Sequence, residues 1–156
     1  MQLLIIRHGI AEDGTPDEER ALTDKGRRRM RKIAAGLRRI VPSLEALATS
    51  PLVRARQTAD IVAHQYDLKP EIVAELAPAA PLGRLREWLA AHAHGVVAIV
   101  GHEPGLSTFA SWLISARPES HLVLKKGGAC LIDLNALEPG VGTLEWLLTP
   151  KQLRAL

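Results

Sequence analysis

Short apolar runs alternate along this chain with longer segments in which apolar residues recur every three or four positions. The first run spans 3–6, and the clearest is the stretch 96–100, which is apolar throughout. Short continuous apolar runs are typical of buried strands, whereas a three-to-four spacing is typical of helices with one buried face. The alternation therefore predicts βα units around a largely parallel sheet.

Four segments have the helical spacing. Thr23 is placed to cap the first helix, and Pro51 opens the second one, because proline is favoured at the start of a helix. A third helix is predicted over 82–93, and a fourth follows the turn at 101–105. Each of these helices would cover a face of the sheet.

The remaining strands determine how the sheet ends. Beyond the two runs above, strands are predicted at 44–49, 72–76, 122–124, 129–134 and 143–148. The last three are joined by short glycine- and proline-containing turns, which predict hairpin-like connections and an antiparallel strand at one edge. The expected fold is α/β: a three-layer α/β/α sandwich with a mostly parallel, mixed sheet.

Length and composition favour one domain over residues 1–156. The chain is 47% hydrophobic and 24% charged, and it has no repeat or linker that would divide it. Its one cysteine, Cys130, cannot form an intramolecular disulfide, so a reducing, cytoplasmic setting is expected. The apolar runs fall far short of the roughly 20 residues that span a bilayer, and the N-terminus lacks signal-peptide features, so no membrane contact is expected.

The charge is unevenly distributed. A net charge of +3 is compatible with nucleic acid, an anionic membrane or a phosphorylated ligand as a partner. The chain has only five aromatic residues, too few for a surface on which bases stack, so no nucleic-acid partner is expected. Residues 24–39 hold eight cations and one anion, a net +7, which leaves −4 for the rest of the chain. This segment is interpreted as a solvated helix face, with docking of an acidic partner as the alternative.

Polar residues that could carry chemistry follow three of the predicted strands. In an open α/β sheet, ligands bind beyond the carboxyl ends of the strands. The segments there are Arg7-His8-Gly9, the stretch 50–59 and the turn 101–105, which together supply two imidazoles and two or three guanidiniums. Arginine binds phosphate oxygens through two parallel hydrogen bonds, and imidazole can act as nucleophile or donor, so this set suits a phosphoryl group.

These motifs carry a family resemblance. Arg-His-Gly, then Ser-x-x-x-Arg-Ala-x-Gln-Thr-Ala at 50–59, then Gly-His at 101–102 occur in the order seen in the histidine phosphatase superfamily, and Leu-Thr-x-x-Gly at 22–26 resembles the opening of its first helix. The chain resembles this superfamily from residue 3 to residue 150, which implies the phosphoglycerate-mutase-like fold. In size, and in lacking long insertions, it is most similar to the SixA branch of phosphohistidine phosphatases.

The resemblance implies roles for individual residues. It makes His8 the nucleophile that forms a phosphohistidine intermediate, with Arg7 and Arg54 holding the phosphoryl oxygens. It makes His102 a hydrogen-bond donor to the same group, protonated while the anion is bound, and Gly9 the residue that lets the loop approach the phosphate. It implies no metal and no other cofactor.

A general acid is the least determined part of the site. By position, Glu75 is the first candidate, with Glu12 or Asp13 behind it, although a carboxylate there could equally be a structural partner for an arginine. A phosphohistidine substrate weakens the requirement, because its leaving imidazole has a near-neutral pKa whereas an alkoxide leaving group needs a positioned acid.

The leading functional hypothesis is a phosphatase that hydrolyses phosphohistidine in a protein, such as a histidine-phosphotransfer domain. A small-molecule phosphate monoesterase of the same superfamily is the rival enzyme. A non-catalytic phosphate-binding or interaction module is the alternative from another class. The sequence indicates neither the physiological partner nor the oligomeric state.

Overall fold

The computed structural model describes residues 1–80 and 83–156, with the backbone alone at 83 and 84. Its strands are β1 (Gln2–Arg7), β2 (Ala46–Thr49), β3 (Glu71–Ile72), β4 (Val96–Gly101), β5 (Ala129–Leu134) and β6 (Gly142–Leu148). Its α-helices are α1 (Asp24–Ile40), α2 (Val53–His64), α3 (Gly83–Ala91), α4 (Gly105–Ser115) and α5 (Pro150–Leu153). Short 3₁₀ turns lie at Asp17–Glu19 and Ala74–Leu76.

The strands form one mixed sheet in the order β3-β2-β4-β1-β5-β6. The first four are parallel, whereas β5 runs antiparallel to both β1 and β6. The predicted mostly parallel, mixed sheet is confirmed, but the strand at the edge, β6, runs parallel to β1, so the predicted antiparallel strand does not lie at the edge itself. The reversed strand is β5, one position in from that edge.

Side chains on the two faces of the sheet build two separate cores. On β1, Leu4 and Ile6 pack in the core that includes α1, α2 and α5, whereas Leu3 and Ile5 pack in the core that includes α3 and α4. This alternation follows from the period of two along a strand. The sheet is thus covered on both faces, which confirms the three-layer α/β/α sandwich.

Two predicted strands differ in the structure. Residues 122–124 pair with no strand, and only Glu71–Ile72 of the segment around 72–76 joins the sheet. The chain then turns because the Leu76 N–H donates to the carbonyl of Val73 at 3.1 Å. The predicted third helix is present as α3, but its predicted first residue, Leu82, lies outside the described residues.

The central strands bring distant segments to one edge of the sheet. β1 and β4 end in register at Arg7 and Gly101, and the His8 N–H donates to the Gly101 carbonyl at 3.1 Å. The Ser50 N–H beyond β2 donates to the Val100 carbonyl at 3.0 Å. The residues that follow these three strands therefore lie side by side.

Two further features concern the helices. Thr23 caps α1 as predicted, since its hydroxyl accepts the Gly26 N–H at 2.8 Å. Of the helices in the described part of the chain, none combines the length and apolar composition that crossing a bilayer requires.

Candidate active site

A cavity of about 270 Å³ opens at the carboxyl edge of the parallel strands. It brings together four residues singled out from the sequence: Arg7, His8, Arg54 and His102. The rest of its lining is Arg20, Pro78, Glu103 and Lys126. Four of the eight lining residues are thus arginine or lysine, which makes the cavity suited to an anion.

The imidazole of His8 is held in one tautomer. Its Nδ1 lies 2.7 Å from the carbonyl oxygen of Gly9, and a carbonyl oxygen can only accept, so Nδ1 carries the proton. Nε2 then keeps its lone pair. His8 is only 5% exposed, so the ring is fixed by its surroundings as well as by this bond.

Both histidines of the cavity are neutral in the free protein near neutral pH. Burial lowers the pKa of His8 to about 3. The bond to Gly9 opposes this effect, whereas the charges of Arg54 and Arg7, and that of His102 once it is protonated in acid, lower the pKa further. Burial also lowers the pKa of His102 to about 4, helped by Arg54 and opposed by the carboxylate of Asp17. A neutral imidazole is the form that can attack phosphorus.

The two arginines are anchored differently. Arg7 donates from Nη1 to the carbonyl of Leu124 at 2.8 Å. Arg54 donates to the carbonyl of Asp17 at 2.8 Å and forms an ion pair with its carboxylate at 3.0 Å. The same carboxylate also pairs with Arg20 at 2.8 Å. The hydrogen bond from Arg20, and to a lesser extent the one from Arg54, lowers the pKa of Asp17.

His102 is positioned by Ser50. The Ser50 hydroxyl lies 2.7 Å from Nε2 of His102 and also accepts the Leu52 N–H at 3.3 Å. The rings of His8 and His102 lie 5.0 Å apart between centroids. Ser50 belongs to the sequence motif at 50–59, but its role in orienting His102 was not predicted.

Three buried nitrogens in this cavity have no hydrogen-bond partner among the described residues: Nε of Arg7, Nε of Arg54 and Nδ1 of His102. Leaving a buried polar group unsatisfied costs about 1–3 kcal/mol. An anion with several acceptor oxygens would offer these groups partners. The arrangement is thus suited to a phosphoryl group.

Gly9 lies beside the cavity and packs against α1. A Cβ at this position would lie 2.7 Å from Cγ of Met30, and the Gly9 N–H donates to the Thr58 hydroxyl at 3.0 Å. The absence of a side chain at Gly9 therefore has a packing reason, in addition to the close phosphate approach expected from the resemblance.

Glu75 lines a second, more apolar cavity of about 280 Å³ next to the first. His102 and Glu103 line both cavities, so the two are adjacent at these residues. Glu12 and Asp13, the other carboxylates considered from the sequence, are exposed and line neither cavity.

Several residues of the site were missed by sequence reasoning. Arg20 and Asp17 lie in the polar loop before α1, Glu103 follows His102, and Lys126 precedes the Gly-Gly pair. Glu103 also stabilises the start of α4, because its carboxylate accepts the Ser107 N–H at 3.0 Å. The sequence signal that could have identified Glu103 as a site residue is its position immediately after His102.

Cys130 and Arg56 do not line the phosphate cavity. Cys130 is buried in β5, and burial raises the pKa of its thiol to about 12, which keeps it protonated and unreactive. Arg56 is exposed on α2. Within the described residues, there is no group of three or more His, Cys, Asp or Glu side chains arranged to hold a metal ion.

Comparison with known proteins agrees with this arrangement. The family profile of the histidine phosphatase superfamily (branch 1) matches residues 3–79. A protein of unassigned function from Picosynechococcus sp. is 38% identical over 135 residues, 82% of each chain. Phosphohistidine phosphatase SixA of Escherichia coli is 28% identical over 160 residues, covering 99% of this chain and 97% of SixA.

The fold comparison extends over nearly the whole chain. The solved structure of the protein histidine phosphatase SixA with tungstate superposes with a TM-score of 0.86 and 28% identity over 98% of this chain and 99% of that one. A phosphoserine phosphatase from Entamoeba histolytica and an α-ribazole-5′-phosphate phosphatase from Escherichia coli share the fold at 16% and 20% identity. Sequence motifs, fold and relatives agree, and the chain belongs to the SixA-like branch of the histidine phosphatase superfamily.

Proposed function

We propose that this protein is a phosphatase that hydrolyses phosphohistidine in a protein substrate, through a phosphohistidine intermediate on His8. The observation that carries the proposal is the state of His8, a buried neutral imidazole whose Nδ1 proton is held by Gly9 and whose Nε2 keeps its lone pair. Around it lie the cations Arg7 and Arg54 and the imidazole of His102.

The reaction has two steps. Nε2 of His8 attacks phosphorus and a new N–P bond forms. The N–P bond to the substrate imidazole breaks, and that imidazole, which carries a proton on its other ring nitrogen, leaves as the neutral base. Water then attacks the phosphorylated His8, the second N–P bond breaks, and inorganic phosphate leaves. Arg7 and Arg54 balance the charge on the phosphoryl oxygens in both transition states.

His102 is the proposed donor to the transferring group. Its pKa is low in the free protein, because it is buried near Arg54 and Arg7. A bound phosphoryl dianion favours the protonated imidazole, so we expect its pKa to rise when substrate binds. The ring then donates a hydrogen bond to a phosphoryl oxygen.

The nature of the leaving group favours a phosphohistidine substrate. An imidazole nitrogen has a near-neutral pKa and leaves without a dedicated acid, whereas an alcohol needs one. The similarity to SixA of Escherichia coli points in the same direction. A histidine-phosphotransfer domain is accordingly the proposed class of partner. The proposal includes a cytoplasmic location and excludes nucleic acid and membrane partners.

A small phosphate monoester is the second candidate substrate. Glu75 and Glu103 line the apolar cavity beside His102, where a carboxyl group could protonate a leaving alkoxide. Phosphatases with such substrates in their names share the fold.

Two substrates distinguish these candidates. The protein is incubated with a phosphorylated histidine-phosphotransfer domain and with an aryl phosphate, each with and without EDTA, and phosphate release is measured. We expect rapid, EDTA-resistant hydrolysis of the phosphorylated domain, complete loss in His8→Ala, and wild-type rates in the control His64→Ala, whose exposed histidine lies at the end of α2.

Each other outcome removes a part of the proposal. Full activity in His8→Ala would exclude His8 as the nucleophile, and loss in EDTA would exclude a metal-free reaction. Turnover of the aryl phosphate alone would replace the protein substrate by a monoester. Phosphate binding without turnover of either substrate would indicate a non-catalytic binding module.

A further inference from the structure

The positive charges of α1 fall into two groups. Some have partners within the chain: Arg27 donates to the carbonyl of Leu22, and Arg38 lies over the ring of Tyr66 at 5.2 Å from its centroid. Others, including Lys25, Arg28 and Arg29, make no ion pair or side-chain hydrogen bond within the described residues. The second group has no visible role in stabilising the fold.

Four cations of the second group form one stripe. Lys25, Arg28, Arg29 and Lys32 are spaced three and four residues apart, so they share one face of α1 over about 10 Å. Together with Arg154 they line a shallow groove of about 330 Å³, here called the basic groove. All five of its lining residues are arginine or lysine.

The packing of α5 completes the basic groove. A Cβ at Gly36 would lie 2.0 Å from the carbonyl oxygen of Leu153, so glycine at this position lets the end of α5 lie directly on α1. Arg154 follows α5 and reaches the same groove. The fifth cation therefore comes from a distant part of the sequence, and the α1 pattern alone does not reveal it.

This concentration of charge has a cost in the isolated protein. Like charges three or four residues apart on a helix destabilise it by a few tenths of a kcal/mol per pair. The only acid of α1, Asp24, lies in its first turn, where the negative charge interacts favourably with the positive end of the helix dipole. An external set of carboxylates would relieve the repulsion.

We propose that the basic groove docks an acidic α-helix of a partner protein, one that has carboxylates repeated three and four residues apart along one face. Such a helix would match the stripe on α1 charge for charge, because both have the same spacing. A helix is favoured over single-stranded nucleic acid, because the groove has no aromatic side chain on which a base could stack. The proposal goes beyond the phosphatase activity and does not depend on it.

The groove begins close to the candidate active site. Its first cation, Lys25, is in the first turn of α1, and the preceding Thr23 N–H donates to the carbonyl of Ile10 at 3.0 Å. Ile10 is two residues beyond His8. A partner helix in the groove would therefore extend toward the edge of the sheet at which the phosphate cavity opens.

Binding of a defined peptide tests the proposal. A fluorescent alanine-based helical peptide with a glutamate stripe at this spacing is titrated with the protein and followed by anisotropy, beside a peptide of equal composition with its glutamates distributed around the helix. We expect the striped peptide to bind more tightly and to weaken about tenfold in Arg28→Glu/Lys32→Glu. The control is the double variant Arg31→Glu/Arg39→Glu, which makes the same change of charge at exposed positions of α1 outside the groove. This variant should bind the striped peptide as tightly as the wild type does.

Other results would overturn it. Equal affinity for the two peptides, or equal weakening by the two double variants, would reduce the groove to unspecific charge attraction. Tighter binding of duplex DNA or of phosphatidylserine vesicles, lost in Arg28→Glu/Lys32→Glu, would assign the groove to those ligands instead. Any hydrolysis of the aryl phosphate should be unchanged in both variants. Failure of the wild type to hydrolyse both the aryl phosphate and the phosphorylated histidine-phosphotransfer domain would count against the proposed phosphatase alone.

Discussion

Burial, more than any single contact, sets the protonation state of His8 and His102. Both side chains are at most 6% exposed, and their pKa values fall to about 3 and about 4 from an ordinary 6.5. The unfolded chain takes up protons on these histidines as the pH falls below about 6.5, whereas the folded chain does not until far lower pH. The free energy of unfolding is therefore highest above pH 6.5 and declines in acid.

We expect this decline to be measurable by urea denaturation. At pH 5, each of the two histidines should lower the free energy of unfolding by about 2 kcal/mol relative to neutral pH. The double variant His8→Asn/His102→Asn should show a correspondingly flatter pH dependence, while His64→Asn should follow the wild type. An equally steep decline in the double variant would assign the acid sensitivity to other groups.

Asp17 competes with the anion for Arg54. Its carboxylate lies 3.0 Å from Arg54 and is 54% exposed, so water screens the pair and the bond is weak enough to be displaced. Asp17→Asn should tighten the binding of inorganic phosphate by about two- to fivefold at low ionic strength, with less effect at high salt, as measured by calorimetry.

Glu18→Gln is the matched control, because this neighbouring exposed acid makes no ion pair within the described residues. Its phosphate affinity should equal that of the wild type. Weaker phosphate binding in Asp17→Asn would show instead that Asp17 holds Arg54 in its binding orientation.

At the scale of the elements, α1 controls the position of the loop that follows His8. A Cβ at Gly26 would lie 2.1 Å from the carbonyl oxygen of Ile10, so the helix and this loop are in backbone contact. Alanine is the better helix former by about 1 kcal/mol, but the clash should outweigh this gain.

Gly26→Ala should therefore lower the free energy of unfolding by more than about 2 kcal/mol in urea denaturation, and should also reduce phosphatase activity. Gly105→Ala makes the same substitution at the first residue of α4, where no atom lies within 4 Å of the added carbon. It should leave stability unchanged or slightly higher. A stable Gly26→Ala would mean that the loop can shift at little cost.

The helices and strands also show which sequence patterns were sufficient to predict secondary structure. α1 was predicted because its cap and its apolar spacing agree, and β4 because it is buried on both faces. The segment 122–124 has strand-like residues, but the carbonyl of Leu124 accepts from Arg7 and the Leu122 N–H donates to Ser120. Such tertiary and local hydrogen bonds replace strand pairing and leave no periodic signal.

In the molecule as a whole, the site is assembled from segments that are far apart in sequence. Arg7, His8, Arg54 and His102 were predicted because each lies in a recognised motif at or beyond the end of a predicted strand. Arg20 and Lys126 were not, because the loops that bring them to the cavity have no periodicity. Arg20 and Lys126 reach the cavity only because the folded chain brings their loops to the carboxyl edge of the sheet.

Because the phosphate cavity exists only in the folded chain, anion binding should stabilise the whole molecule. At about 100 times the dissociation constant, inorganic phosphate should add about 2.7 kcal/mol to the free energy of unfolding. For a protein of this size, that corresponds to a rise in Tm of about 5–10 °C, measured by calorimetry with and without phosphate. EDTA should not change this rise.

Arg54 and Arg56 provide a matched pair for this measurement. Both lie on α2, but Arg54 is 5% exposed in the cavity, whereas Arg56 is exposed and outside it. Arg54→Ala should lose most of the rise in Tm and Arg56→Ala should keep it, whatever either substitution does to stability without phosphate. Comparing the rise rather than the absolute Tm removes the effect of breaking the Arg54–Asp17 pair. If Arg54→Ala kept the full rise, the anion would have to bind outside this cavity, and the assignment of the cavity as the phosphate site would fail.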